Sequence, residues 1–188
     1  QNLRKNGLIA IVLKEEDELV NVALTRGNDE ILMGTRNGMC IRFSEEHIRT
    51  CGRVSMGVKA IRLEEGDYVI DMARIEENSQ VLVITAKGYG KRTPVEEYRI
   101  TNRGGLGIKN YMVTDKTGPV VGIKVVDGTE DLLLVTQAGI LIRTPVDSIR
   151  TAGRATQGVI VMRFKEEGDH VISLALTDHE EGSAEAEE

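Results

Sequence analysis

Arginine and lysine are the side chains whose types and spacing carry chemistry in this sequence, and that chemistry is the holding of anions. Three stretches, Thr35–Arg42, Thr85–Arg92 and Thr136–Arg143, share the pattern Thr-x-x-Gly followed four residues later by Arg, at offsets of 50 and 51 residues. Eleven residues after Arg42, Arg92 and Arg143 come Arg53, Arg103 and Arg154, and four further on Gly57, Gly107 and Gly158. Lys91 lies inside the second stretch, and Lys59 and Lys109 follow the first and second at equivalent positions. Charge follows the period. Residues 35–62 carry a balance of +4, residues 85–110 again +4 and residues 136–163 +3, whereas the intervening 63–84 carry −5. An evenly repeated set of cations suits a polyanion whose own charge repeats evenly, and a nucleic acid backbone is such a ligand. The candidate contacts are Arg42, Arg53, Lys59, Lys91, Arg92, Arg103, Lys109, Arg143 and Arg154. Four Tyr, two Phe and no Trp leave few rings for single-stranded bases to stack on, so a duplex held by its phosphates is expected.

Other chemistries lack their residues. A phosphate loop is nearest at Gly88–Thr93, but position 85 is Thr where the motif needs glycine, so the segment reads as a hairpin. Gly104, Gly105 and Gly107 fit a bend before a strand. His47, His170 and His179 are scattered, and no nucleophile, base and acid can be grouped from order alone. The acid pairs Glu15–Glu16, Glu64–Glu65 and Glu166–Glu167 recur before Asp17, Asp67 and Asp169, which marks them as turn surface. No catalytic residue, metal site or cofactor is expected.

The elements that must position the cations are strands. Ile31–Thr35, Val81–Thr85 and Leu132–Thr136 are short apolar runs, as in strands buried on both faces. Asn37–Gly38, Lys87–Gly88 and Ala138–Gly139 are tight turns where glycine supplies a positive φ. Two further strands are expected to flank each hairpin. One set is Leu19–Leu24, Val69–Ala73, Val120–Val126 and Val171–Leu176; the other is Val58–Leu63, Ile108–Val113 and Val159–Phe164. Four strands in about 50 residues, repeated, predict an all-β fold of radially stacked four-stranded blades. Gly7 lies 50 residues before Gly57, so the array is expected to open inside a unit, with a partial blade at residues 1–17, three repeats to residue 177 and a disordered acidic tail at 178–188.

The whole chain has 188 residues, 40% of them hydrophobic, 24 basic and 30 acidic. Asp178, Glu180, Glu181, Glu185, Glu187 and Glu188 account for the net charge of −6, so the acidity belongs to the tail. No apolar run is long enough to span a bilayer, and a cytoplasmic location is expected. Cys40 and Cys51 are too few for a disulfide framework and read as half-buried thiols.

Gly88–Tyr98 (GYGKRTPVEEY), Asn102–Gly107 (NRGGLG) and Ile149–Val159 (IRTAGRATQGV) closely resemble the C-terminal domain of bacterial DNA gyrase A, over nearly all of residues 1–177. The resemblance implies a β-pinwheel, a propeller-like disc that wraps duplex DNA round a basic perimeter and supports ATP-dependent negative supercoiling. It implies as partners the rest of the gyrase A polypeptide and, through it, gyrase B, with catalysis in other domains. The family's Gln-Arg-Arg-Gly-Gly-Lys-Gly box belongs to its first blade. The nearest match here, Asn102–Gly107, keeps Arg103 but has Leu106 where the box is basic, and so resembles a degenerate copy. The acidic end resembles the family's variable tail and is expected to compete with DNA. The alternatives are the corresponding domain of topoisomerase IV and a protein-interaction propeller whose rim docks an acidic partner.

Overall fold

The computed structural model describes residues 6–179. Three hairpins organise it: β1 (Glu30–Thr35) with β2 (Met39–Ser44), β4 (Gln80–Thr85) with β5 (Tyr89–Pro94), and β8 (Glu130–Thr136) with β9 (Leu141–Pro145). Each turns through the expected glycine, at φ 84° for Gly38, 76° for Gly88 and 82° for Gly139. A single-turn 3-10 helix follows each hairpin, at Glu45–His47, Val95–Glu97 and Val146–Ser148. The fold is all-β, as the periodicity predicts.

The flanking strands come from elsewhere than expected. The inner edge of the first hairpin is taken by β3 (Val69–Arg74), which follows it in the chain, and not by Leu19–Leu24, which forms no strand. Its outer edge is taken by β6 (Ile108–Lys109), donated by the next unit, and not by Val58–Leu63. The second sheet repeats the plan, with order β10-β5-β4-β7, where β7 is Val120–Val126 and β10 is Val159–Ile160. The third has β11 (Val171–Asp178) on β8 and three strands in all. The second and third units are therefore each a hairpin, an excursion over the outer edge of the preceding unit, and a return to its own inner edge. Hydrophobic period reports which face of a strand is buried, not which neighbour it pairs with, so this exchange is invisible to it. The donated strands also have only two residues each, shorter than the apolar runs that contain them.

Adjacent sheets pack face to face along the inner strands, β3 against β7 and β7 against β11. The middle hairpin shows why its inner strand is apolar without a break. Val81 and Val83 pack with Leu32, Tyr98 and Ile123 on one side, while Leu82 and Ile84 pack with Leu132, Leu134 and Val171 on the other. Each such side chain contributes about 1.5–3 kcal/mol by leaving water.

The crossing is held by close backbone contact. A Cβ at Gly107 would overlap the carbonyl oxygen of Cys40, and one at Gly158 that of Gly90. Both residues also have positive φ, at 74° and 69°. Gly168 has φ 87° with open space around it. Gly158→Ala is expected to lower stability by more than about 3 kcal/mol, and Gly168→Ala by only about 1 kcal/mol of backbone strain. Urea midpoints of the two variants check this; equal losses would show that the crossing is not tightly packed.

Candidate nucleic-acid interface

The nine cations singled out by spacing divide into three groups. Arg42, Arg92 and Arg143 are held by the fold. Arg42 donates from Nε to the Glu30 carboxylate at 2.6 Å and from Nη1 to the carbonyls of Val95 at 2.8 Å and Tyr98 at 2.9 Å. Its side chain is only 13% exposed. Arg92 repeats the role one unit on, with Nε to Ile149 O at 2.7 Å and Nη2 to Asp147 O at 2.8 Å. Each guanidinium thus grips the 3-10 turn of the following unit, reaching carbonyls at and just beyond the end of so short a helix. Arg143 bonds the Asp131 carboxylate at 2.7 Å and the carbonyl of Asp178 at 2.8 Å, and the second Asp131 oxygen holds His179. Hydrogen bonding from His179, ahead of that from Arg143, keeps the Asp131 carboxyl below its ordinary range. Asp178 therefore closes a strand, although a tail is expected there; residues 180–188 lie outside the described residues.

Lys91 is a correction. It is fully buried, so it offers no charge to a ligand on the surface. Its Nζ donates to Asn110 O at 2.9 Å, to Gly153 O at 2.8 Å and to the carbonyl of Arg154. It also stands 5.3 Å from the ring centre of Tyr111. Three acceptors match the three N–H bonds of an ammonium. The equivalent positions in the other units hold Ile41 and Ile142, so the period marks Lys91 as exceptional without saying that it faces inward.

The third group occupies the crossings. Arg103 donates from Nε to His47 O at 2.9 Å and from Nη1 to Lys59 O at 3.1 Å. One unit on, Nη1 of Arg154 donates to Lys109 O. The second excursion thus lies against the first, and the third against the second, bringing Lys59 beside Arg103 and Lys109 beside Arg154. Parallel bridges Arg42↔Ile100 and Arg92↔Thr151 hold the same excursions on β2 and β5. Arg53, Lys59 and Lys109 are exposed, and Arg103 and Arg154 partly so. Three cations missed by the motif belong with them: Arg49, Arg99 and Arg150, all exposed, each seven residues beyond Arg42, Arg92 and Arg143. Their 50- and 51-residue spacing could have found them. Among the described residues, none of these eight forms a salt bridge. The acidic segment is held separately, with Asp71 on Lys124 at 3.0 Å and Glu76 on Arg74.

Gly104–Gly107 forms the bend into β6, and Gly88–Thr93 runs from the hairpin turn along β5, so neither shapes a phosphate loop. The cysteines differ from expectation. Cys40 is buried beneath β6, and burial pushes its thiol up to about 12, while Cys51 sits exposed on the first excursion. Among the described residues no three His, Cys, Asp or Glu side chains converge as metal ligands, and no helix is long and apolar enough to cross a membrane.

Burial pulls the Lys91 ammonium down to about 8 from 10.5. The unfolded chain therefore binds more protons between about pH 8 and 10.5, and this group's contribution to stability rises with pH across that window. Cys40, Tyr98 and Tyr111, all raised by burial, act in the opposite sense as the unfolded chain ionises. Comparison with Lys91→Met cancels those contributions. The stability of the parent relative to Lys91→Met is expected to grow from pH 7 to 9.5 in urea titrations; a difference independent of pH would contradict the buried ammonium.

Comparison with known proteins agrees with this architecture. The family model described as DNA gyrase C-terminal domain, beta-propeller, matches residues 1–26, 29–76, 79–127 and 130–178. The last three segments each run from a hairpin to its returning inner strand. The DNA gyrase A polypeptide of Halalkalibacterium halodurans is 58% identical over 187 residues, which is 100% of this chain and 22% of that protein. The gyrase A polypeptide of Streptococcus pyogenes serotype M1 is 57% identical over 182 residues, 97% of this chain and 22% of that protein. The chain thus spans about a fifth of the length of these relatives. A solved DNA gyrase A C-terminal domain superposes with a TM-score of 0.84 at 25% identity, covering 92% of this chain and 58% of that one. A solved C-terminal domain of DNA topoisomerase IV gives 0.86 at 28% identity, covering 92% and 54%. With the family model covering nearly every residue of the three hairpin units, the chain belongs to the DNA gyrase C-terminal domain family.

Proposed function

We propose that this chain binds and bends duplex DNA without regard to sequence, along the edge where successive excursions cross. The observation that carries the reading is the repeated pairing of cations there, Arg103 beside Lys59 and Arg154 beside Lys109, at one unit's spacing. Four charges so placed, extended by Arg49, Arg53, Arg99 and Arg150, follow a direction set by unit stacking and suit a ligand with evenly spaced phosphates. No motif reads base edges, so affinity rests on the backbone. Bending a 20–30 base-pair segment costs about 1–6 kcal/mol, which several charge-assisted contacts per unit offset.

In the parent enzyme this chain is a non-catalytic part of the gyrase A polypeptide, within an ATP-dependent type II topoisomerase that introduces negative supercoils. Its partners there are duplex DNA, the rest of gyrase A and, through it, gyrase B, in the cytoplasm. Identities of 58% and 57% to gyrase A polypeptides favour gyrase, whereas the solved domains of gyrase A and topoisomerase IV, at 25% and 28%, do not separate the two.

Two outcomes are expected from fluorescence anisotropy with a short duplex. If the edge engages about 6 to 10 phosphates, affinity falls by about 10³ to 10⁵ between 50 and 200 mM salt. Lys59→Ala with Lys109→Ala, two exposed ammoniums without a hydrogen bond or ion pair among the described residues, is expected to reduce the logarithmic salt slope by about 2 and leave the urea midpoint unchanged. Lys91→Met is expected to shift the midpoint and keep the slope. Absence of binding at low salt, or a slope unmoved by the double substitution, would reject the reading.

A further inference from the structure

Among the cations of the second excursion stands one apolar side chain that the fold does not enclose. Leu106 is 54% exposed, three residues beyond Arg103 and three before Lys109. The backbone on each side of it is fixed. Gly105 O accepts from the amide of Arg62 at 2.7 Å, and Gly107 lies against the carbonyl of Cys40. Leu106 is thus presented outward on a backbone that both neighbours pin.

The glycine before it has no use inside the fold. Gly105 lacks a left-handed φ, and a Cβ there would meet nothing nearer than 4.0 Å. The first and third excursions carry Ser55 and Thr156 at this position, so a side chain is compatible with the bend. An exposed glycine that neither conformation nor packing requires leaves bare backbone for the close approach of a ligand. At the position of Leu106 itself the first excursion has Met56 and the third has Gln157, whose Nε2 turns back onto Met112 Sδ at 3.8 Å.

A single exposed leucine is ordinary on a protein surface, so its surroundings decide what it can do. Lys59 beside Arg103 and Lys109 beside Arg154 are the two cationic pairs assigned above to phosphates. Three residues of extended chain span about 11 Å at most, so Leu106 stays within that reach of the backbone of both Arg103 and Lys109. A duplex gripped at the two pairs brings a groove over the residue between them, where an apolar side chain meets base steps and not phosphates. Apolar side chains placed in this way enter between base steps from the minor groove, unstack them in part and kink the duplex.

We propose that Leu106 is such a wedge and determines which DNA this edge bends most readily, with Gly104 and Gly105 clearing the approach. The inference deepens the DNA reading and rests on it. Base edges remain unread, and sequence is felt only through the ease with which a step opens, since pyrimidine–purine steps unstack easily and A-tracts resist. The cations by themselves have the opposite bias, because the narrow minor groove of an A-tract attracts arginine and lysine.

Two duplexes of about 30 base pairs, both built only of A·T pairs and equal in length and charge, separate the two effects: one has a TA step at each helical turn and the other consists of A-tracts. Anisotropy at low salt is expected to show the 188-residue chain binding the TA duplex at least about fivefold more tightly. The base analogue 2-aminopurine, whose fluorescence is quenched by stacking, is expected to brighten at the TA step. Leu106→Ala is expected to bring the two affinities within about twofold and to abolish the brightening, while keeping the salt slope and urea midpoint of the parent. Leu106→Met, which keeps an apolar projection, retains the preference. Gly105→Val, a side chain the bend accommodates, loses it with Leu106 still present. Binding of neither duplex would remove the DNA reading together with the wedge. Equal binding by the parent, or a preference and brightening that survive in Leu106→Ala, would overturn the wedge alone and leave the phosphate-binding edge in place.

Discussion

The structure depends on the need of an open sheet edge to be covered. A three-stranded sheet of β3, β1 and β2 leaves the outer N–H and C=O groups of β2 unpaired, and the next unit meets that need by sending its chain across. Ile108 and Lys109 pair with Cys40 and Met39, and the amides of Asn110 and Tyr111 both donate to the carbonyl of Gly38. Because the covering strand belongs to another unit, satisfying the edge also joins the units. Chain connectivity, core packing and backbone hydrogen bonding are therefore settled at one place, where glycine at position 107 permits the approach.

The same crossing sorts the cations. A guanidinium beneath an excursion finds carbonyls and is held, as Arg42 and Arg92 are; an ammonium enclosed between two excursions is buried, as Lys91 is. Cations on the upper side of an excursion remain toward solvent, and those of successive units become neighbours because the excursions touch. Arg103 and Arg154 serve both ends, each using one guanidinium nitrogen on the carbonyl of the preceding unit's lysine. A basic edge is in this sense a consequence of strand exchange, with the acidic return segment placed on the other part of each unit.

Much of this was legible in the residues. The 50- and 51-residue period, the three hairpins and their glycine turns, and the two-sided burial of Val81–Ile84 follow from pattern alone. Pairing between units was not legible, because an apolar run such as Ile108–Val113 is equally compatible with its own hairpin and with the previous one. Nor could the period separate Arg42 from Arg53, since both recur; their difference lies in whether Val95 and Tyr98 come within reach, a matter of tertiary placement. Lys91 stands where Ile41 and Ile142 are inward-facing or half-buried, and that break in an apolar position was the available sign that its charge is enclosed.

The central claim is that the crossings, and not the acidic returns, form the face that meets DNA. Hydrogen exchange of the chain read peptide by peptide, with and without a short duplex at low salt, tests this most directly. The account predicts slowed exchange over residues 49–59, 99–109 and 150–160, with residues 63–77 unchanged. Slowing over 63–77, or no slowing at the crossings under conditions where the duplex is bound, would contradict it.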